Sequence, residues 1–207
     1  MMTDSFRPTA LRNKAWVALT GKWGMSALAC LIYLLTVFAP TILPSFFLWA
    51  SFAFNILVVA IIGIGARFVW LDVSNGKNLE IQTLFEAFSD YVRYLVGAIL
   101  VAVYTLLWLL LLVVPGIIKG ISYSMTFYLM RENPQLSGEE AINLSMKMMQ
   151  GHKMDFFLLQ LSFTGWLLLG TITLGIGLLW IFPYMMTAQA EFYAELKKEY
   201  ETREALS

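Results

Sequence analysis

Three long apolar blocks alternate with charged segments along the chain. No charged residue occurs from Trp23 to Ala66, from Tyr94 to Ile118, or from Phe156 to Ala190. A membrane-spanning helix needs roughly 20 mostly apolar residues, so each block is long enough to cross a bilayer at least once. The pattern therefore predicts an all-α membrane protein with a single polytopic domain over residues 1–207.

Helix breakers divide each block into two predicted spans. As one helix, the first block would be about 66 Å long, roughly twice the hydrocarbon thickness, so it must fold back. Pro40 and Pro44 predict its turn, because proline removes a helix donor. Pro115–Gly116 and Thr173–Gly177 predict the other two turns. We therefore expect six transmembrane helices in three hairpins, over about residues 23–70, 94–130 and 156–192.

A more polar helix is predicted before each hairpin, over about residues 9–20, 79–90 and 137–150. In the second, Ile81, Leu84, Phe85 and Phe88 share one face at the spacing of an amphipathic helix. We interpret all three as interfacial helices on the cytoplasmic membrane surface. A unit of interfacial helix plus hairpin would then occur three times, and a helical tail would follow over residues 191–207.

The third of these helices has the clearest end signals. Ser137 and Glu140 have the spacing of a capping box. Gly151 suits the end of the helix, because glycine readily takes the left-handed conformation found there. Ile142 and Met149 belong to its apolar face.

Basic residues predict the orientation of the spans. Lys and Arg precede span one, follow span six, and lie between spans two and three (Arg67, Lys77 and Arg93) and between spans four and five. Six spans place all of them except Lys119 on the cytoplasmic side, together with both termini. Residues 117–130 are short enough to be re-entrant, but the basic segment after them would then face outside.

Composition excludes several classes of function. The formal net charge is zero, so nothing indicates a nucleic-acid-binding surface. The single cysteine, Cys30, excludes an intramolecular disulfide and a cysteine-based metal cluster. There is no phosphate-binding loop and no nucleophile elbow. We therefore predict no catalytic residue, no metal site and no cofactor.

Two ionisable residues are candidates for chemistry. His152 is the only histidine and has a possible partner in Asp155, but one histidine is a poor metal site. A position at the lipid headgroups, next to a helix end where positive charge is favoured, explains it better. Lys119 lies inside an apolar segment, where charge is often functional. Its side chain is also close enough to the predicted turn to reach the outer headgroups.

A family resemblance extends over most of the chain, and it includes Ala15, Leu19, Gly21 and Trp23 near the N-terminus. Its marks include "VPGIIKGISYSMTFYLMRENPQ", "SGEEAINLSMKMMQGHKMDFF" and "TLGIGLLWIFPYMMTAQAEFY". With these segments the chain resembles a family of bacterial membrane proteins called domain of unknown function 975. The resemblance implies a multi-span protein of the bacterial cytoplasmic (inner) membrane, without an assigned activity and with no catalytic residue to carry over. Functional candidates from these segments and the spans are Lys119, Tyr123, Ser145, Gly151, His152, Lys153, Gln160, Pro183 and Tyr184.

The leading functional hypothesis is a non-enzymatic membrane protein that binds a lipid, a hydrophobic peptide or a partner membrane protein. Its contact surfaces would be the apolar faces of the interfacial helices. A small permease or lipid-handling transporter is the alternative, although no predicted span carries a carboxylate at its centre, as ion-coupled transport usually requires. An integral membrane enzyme of lipid metabolism is third, because the necessary cluster of polar residues is missing.

Overall fold

The computed structural model describes residues 4–39 and 53–205, and within them the chain is helical, without a strand. Short 3₁₀ helices cover Asp4–Phe6 and Ile81–Phe88, and the π-helix Asn55–Val59 leads into the third α-helix. The all-α prediction is therefore confirmed. The α-helices are α1 (Pro8–Leu19), α2 (Trp23–Phe38), α3 (Ala60–Ser74), α4 (Tyr91–Leu111), α5 (Val113–Ser122), α6 (Thr126–Glu132), α7 (Gly138–Met148), α8 (Lys153–Leu161), α9 (Thr164–Ile172) and α10 (Leu178–Ala205).

Three helical segments in the described part are long and apolar enough to cross a bilayer: Leu57–Ser74, Tyr91–Leu111 and Lys153–Ile172. A fourth is added if α1 and α2, which are bent by 100°, count as one. Six spans are not confirmed, because α5 and α6 have only 10 and 7 residues. The turn predicted at Pro40 and Pro44 lies outside the described residues.

Helix α3 is the central element of the fold. In the segment Leu57–Ser74, 61% of the residues are buried within the protein, compared with 11% in Tyr91–Leu111. It packs against α1, α2, α4, α6, α10 and the 3₁₀ helix Ile81–Phe88. Helix α3 continues to Ser74, four residues beyond the predicted end of the first hairpin near residue 70, and Gly76 adopts a φ of +77° just after it. Arg67, assigned from the sequence to a cytoplasmic segment, therefore lies within a buried helix.

The 3₁₀ helix Ile81–Phe88 lies where the second interfacial helix was expected. It packs directly against α3, because a Cβ atom at Gly65 would lie only 1.9 Å from the carbonyl oxygen of Leu84. Leu84 is fully buried, whereas Phe85 and Phe88 remain 49% and 37% exposed. The predicted amphipathic face is thus divided, and only part of it is free to contact lipid or a partner.

The turn predicted at Pro115–Gly116 lies three residues earlier in the structure. Leu112 has an extended backbone (φ −158°, ψ 134°) and separates α4 from α5. Pro115 occupies the first turn of α5, where its missing N–H costs no hydrogen bond. Gly116 allows the hairpin to close, because a Cβ atom there would lie 2.6 Å from Leu109. Pro115–Gly116 thus lies close to a break between two helices, but it belongs to the first turn of the second helix.

The predictions for the third polar helix are confirmed at both ends. Ser137 and Glu140 form the capping box at the start of α7, and Gly151 follows its end with a φ of +89°. The face expected to contact a partner is nevertheless buried, since Ile142 is 1% and Met149 0% exposed. Its assignment as a binding surface is therefore wrong.

The last hairpin turns where the sequence predicted. Residues 173–177 connect α9 to α10, with Leu174 and Gly175 at positive φ. Helix α10 then continues for 28 residues into the charged tail, as expected. Helix α1 likewise agrees with the predicted helix at residues 9–20.

Candidate functional site

Two of the sequence-predicted candidates meet between α5 and α7. Ser145 is fully buried, and its hydroxyl donates to the backbone carbonyl oxygen of Ser122 over 2.7 Å. The neighbouring Tyr123 is buried, with its ring 6.4 Å from that of Tyr104. These contacts hold α7 against the α4–α5 hairpin, so they have a packing role that needs no ligand.

Lys119 points toward α7. Its Nζ lies 3.9 Å from the Sδ of Met146 and 4.9 Å from the centre of the Trp108 ring. A cation–π contact with Trp108 accounts for the charge at this position.

His152 joins three parts of the chain. Its Nδ1 and Nε2 each lie 3.1 Å from a carboxylate oxygen, of Asp155 and Glu199 respectively, and its ring stacks 4.3 Å from Phe6. The pairing with Asp155 is confirmed. A carboxylate only accepts hydrogen bonds and a neutral imidazole has one N–H, so both contacts form together only in the imidazolium. His152 is 9% exposed and connects the segment around Phe6 with the later part of α10 around Glu199.

The remaining candidates are dispersed. Lys153 lies beside an apolar groove between α5 and α8, and Gln160 is partly buried on α8. Pro183 is buried within α10, and its carbonyl oxygen accepts from the Thr187 hydroxyl. The Tyr184 hydroxyl accepts from Nε of Arg12 over 3.4 Å. The structure does not bring the nine candidates into one site.

A cluster of ion pairs connects α3, α6 and the 3₁₀ helix. Arg131 donates to Asp72 over 2.8 Å, to Glu86 over 2.7 Å and to the carbonyl oxygen of Phe68 over 2.8 Å. Burial lowers the pKa of Arg131, but its hydrogen bonds and charge pairing with the two carboxylates outweigh burial and raise the pKa above its ordinary value. Arg131, Asp72 and Glu86 are all paired, so the cluster stabilises the packing of α6 and the 3₁₀ helix against α3.

The strongest candidate site is a cleft of about 580 Å³ between α2, α3, α4, α6 and α10. Its walls are almost entirely apolar, and Arg67 supplies its only charged side chain among the described residues. The lining residues are Tyr33, Val59, Ala60, Gly63, Ile64, Arg67, Ala98, Val101, Ala102, Thr105, Leu106, Leu109, Phe127 and Met186.

Arg67 is only partly satisfied in this cleft. It donates one hydrogen bond, from Nη1 to the carbonyl oxygen of Ser124 over 3.3 Å, and its guanidinium lies 5.1 Å from the centre of the Phe127 ring. It has no carboxylate partner within the described part of the chain. A guanidinium carries five N–H donors, so four have no protein acceptor there.

Two tyrosine hydroxyl groups lie near Arg67. A Cβ atom at Gly63, one turn before Arg67 on α3, would be 3.6 Å from the hydroxyl of Tyr33. That hydroxyl has no hydrogen bond among the described residues. The hydroxyl of Tyr128 is fully buried and has no hydrogen-bond partner among the described residues. Arg67 and Tyr33 thus offer several hydrogen-bond donors at one end of an apolar cleft.

The described residues contain no group of three or more His, Cys, Asp or Glu side chains that could hold a metal ion. The cleft itself offers a cation (Arg67), the hydroxyl groups of Tyr33 and Thr105, and apolar walls. A guanidinium with free donors binds the oxygens of carboxylates and phosphates, often with two parallel bonds.

Comparison with protein families supports the resemblance seen in the sequence. Residues 109–200, a little under half of the chain, match the family described as "Protein of unknown function (DUF975)". The matched region starts near the end of α4 and reaches α10, so it leaves out Tyr33 and Arg67. No curated protein and no solved structure matches the chain.

The sequence around Arg67 contains a sign that this residue is buried. Arg67 directly follows the longest uncharged stretch, and we counted it among the basic residues that set the orientation. Hydrophobic residues continue for a turn beyond it, at Phe68 to Leu71. An arginine with apolar residues on both sides is a candidate for burial.

Proposed function

We propose that this chain is a multi-pass protein of the bacterial cytoplasmic membrane that binds an anionic amphiphile in the Arg67 cleft. The amphiphile would place its carboxylate or phosphate against Arg67 and Tyr33. Its hydrocarbon chain would lie along the apolar wall formed by α4. The protein would act by binding, without covalent chemistry, and both termini would face the cytoplasm.

One observation carries the proposal: Arg67 lies in an apolar cleft, and most of its donors have no acceptor among residues 4–39 and 53–205. An ionisable residue inside a membrane segment is costly and is usually paired. Arg131 on α6, which contacts α3 at Phe68 and Asp72, has two carboxylate partners, whereas Arg67 has none in the described part of the chain. An external oxyanion would complete the missing pairing.

The shape of the cleft supports an amphiphile. Its volume lies within the usual range for small-ligand sites, about 300–1,000 Å³. The apolar lining from α4 includes Val101, Ala102, Leu106 and Leu109. On the same helix, the side chains of Leu106 and Leu107 are 56% and 53% exposed. A ligand with a charged head and a single apolar tail matches this distribution of polarity.

Equilibrium binding to the full chain in a neutral detergent tests the proposal. The probes are a fluorescent long-chain carboxylate and the same chain with a quaternary ammonium head. The carboxylate should bind more tightly. A hydrogen bond to a charged group contributes about 1.5–3 kcal/mol, so Arg67→Gln should weaken carboxylate binding about tenfold or more. Arg67→Lys should have an intermediate effect, because lysine cannot form the paired bonds.

Two further variants separate head and tail recognition. Ala102→Trp fills the apolar wall and should weaken both probes, while Lys147→Gln removes one exposed positive charge elsewhere and should change neither. Equal affinity of wild type and Arg67→Gln for the carboxylate would reject the proposal. Tighter binding of the ammonium probe would reject it as well.

A further inference from the structure

Four tryptophans and a tyrosine form a second site, an open recess of about 290 Å³. Trp16 and Trp23 lie on either side of the bend between α1 and α2, while Trp166 and Trp180 come from α9 and α10. The walls are completed by Ile181 and Tyr184. Trp16, Trp166 and Trp180 remain 54%, 40% and 45% exposed. We refer to this site as the tryptophan recess.

Arg12 places a positive charge at the edge of the recess. Its guanidinium carbon lies 5.8 Å from the centre of the Trp166 ring and 5.7 Å from that of Phe163. Its Nε donates to the Tyr184 hydroxyl. Within the described residues it has no carboxylate partner, so it is held by aromatic rings and one neutral oxygen.

The tryptophans add further donors. An indole ring carries one N–H group and no acceptor. None of the four indoles makes a hydrogen bond in the part of the chain that the structure describes. Together with Arg12, they give the recess several donors and a net positive charge, and only the Tyr184 hydroxyl can accept. The complementary ligand is an anion with several acceptor oxygens.

We infer that the tryptophan recess binds an anionic phospholipid of the surrounding membrane. Its phosphate would contact Arg12, and its ester carbonyl groups would accept from the indoles. Tryptophan is enriched where lipid headgroups meet hydrocarbon. Helix α1 also carries Lys14, which pairs with Glu195, and charged residues of this kind are expected at the membrane surface.

Such a lipid would connect α1 to α9 and α10. It would contact Trp16 on α1, Trp166 on α9 and Trp180 on α10. The first of these is far in the sequence from the other two. The lipid would thereby hold the amphipathic helix α1 on the membrane surface. This inference is independent of the Arg67 cleft, which shares no lining residue with the recess.

Quenching of tryptophan fluorescence by brominated lipids tests the inference. The full chain is reconstituted in phosphatidylcholine vesicles that contain an equal, low fraction of either brominated phosphatidylglycerol or brominated phosphatidylcholine. Wild type should be quenched at least twofold more by the brominated phosphatidylglycerol. Arg12→Gln should abolish this difference. Trp166→Phe, which keeps a ring but removes the N–H, should reduce it.

Controls separate a specific site from general contact with lipid. Lys147→Gln should preserve the difference, which excludes an effect of net charge. Arg67→Gln should also preserve it, so failure of the cleft proposal leaves this test intact. If Arg12→Gln does not fold, Arg12→Lys and Trp166→Phe carry the test. Equal quenching of wild type by both lipids would overturn the inference and leave the tryptophans as ordinary interfacial residues.

Discussion

Arg131 and Asp72 form a 2.8 Å ion pair that joins α6 to α3 across 59 positions of the chain. Both side chains are largely buried, at 13% and 12% exposure. Removing Arg131 leaves Asp72 with the more exposed Lys77 as its one ion-pair partner in the part of the chain that the structure describes. Breaking a buried pair usually costs about 3–5 kcal/mol, and the partial exposure here lowers the expected cost of Arg131→Gln to about 2–4 kcal/mol.

Thermal unfolding in detergent measures this cost. Asp72→Asn should be destabilising as well. In a double-mutant cycle, Arg131→Gln combined with Asp72→Asn should cost less than the sum of the two single changes. Strict additivity would mean that the two side chains do not interact.

Gly65 is expected to be the most sensitive glycine in α3. An added methyl group would meet the backbone of Leu84, which cannot move aside as a flexible side chain could. Overpacking a core typically costs about 1–3 kcal/mol, and contact with backbone places Gly65→Ala at about 3 kcal/mol or above. The measurement is the yield of folded protein and its melting temperature.

Gly165→Ala on α9 is the matched control for that substitution. No atom lies within 4 Å of the Cβ position at Gly165. Alanine there should be neutral or slightly stabilising, because it is a better helix former than glycine. Similar losses in both variants would argue against the close contact between α3 and the 3₁₀ helix.

His152 should hold the C-terminal part of α10 in place. His152→Ala removes the contact with Glu199 and the stacking on Phe6. Glu199 would retain only the exposed pairing with Arg203. We expect faster hydrogen exchange in both chain ends, near Phe6 and Glu199, and little change in α3. Lys153→Ala is the control, and an exchange pattern identical for wild type and His152→Ala would contradict the assigned role.

The same contacts make a prediction about topology. His152 touches Phe6 near one end of the chain and Glu199 near the other, so the turn at Gly151 and both ends lie on one side of the molecule. Reporters inserted after Gly151 and fused to the C-terminus should therefore read the same compartment. The basic residues predict that this compartment is the cytoplasm. Opposite readings would refute the shared side.

Local signals in the sequence predicted local structure well. Ser137 with Glu140, Gly151, and the turn at 173–177 each depend on a few neighbouring residues, and each prediction is confirmed. The continuous helix after the last turn also followed from its strong helix formers. In these cases the chemistry that decides the backbone conformation lies within one or two helical turns.

Features set by distant contacts were not predictable in this way. The apolar face containing Ile142 was read as free, because nothing local indicates that α7 is covered by other helices. The break at Leu112 has no strong local signal, whereas the adjacent Pro115 drew attention to the wrong residue. The Arg67 cleft combines side chains from five helices that are far apart in the sequence. The positive charge of Arg67 also fitted the rule that basic residues lie on the cytoplasmic side, so nothing indicated a second role.

The central claim is that Arg67 binds the head of an anionic amphiphile, and native mass spectrometry of the gently extracted protein tests it most directly. Wild type and Lys147→Gln should retain two added masses that dissociate as acidic ligands, one for the cleft and one for the tryptophan recess. Arg67→Gln should lose the cleft ligand while staying folded and keep the one that depends on Arg12, whereas Arg12→Gln should lose the recess ligand and keep the one that depends on Arg67. Retention of both acidic ligands by Arg67→Gln would contradict the account.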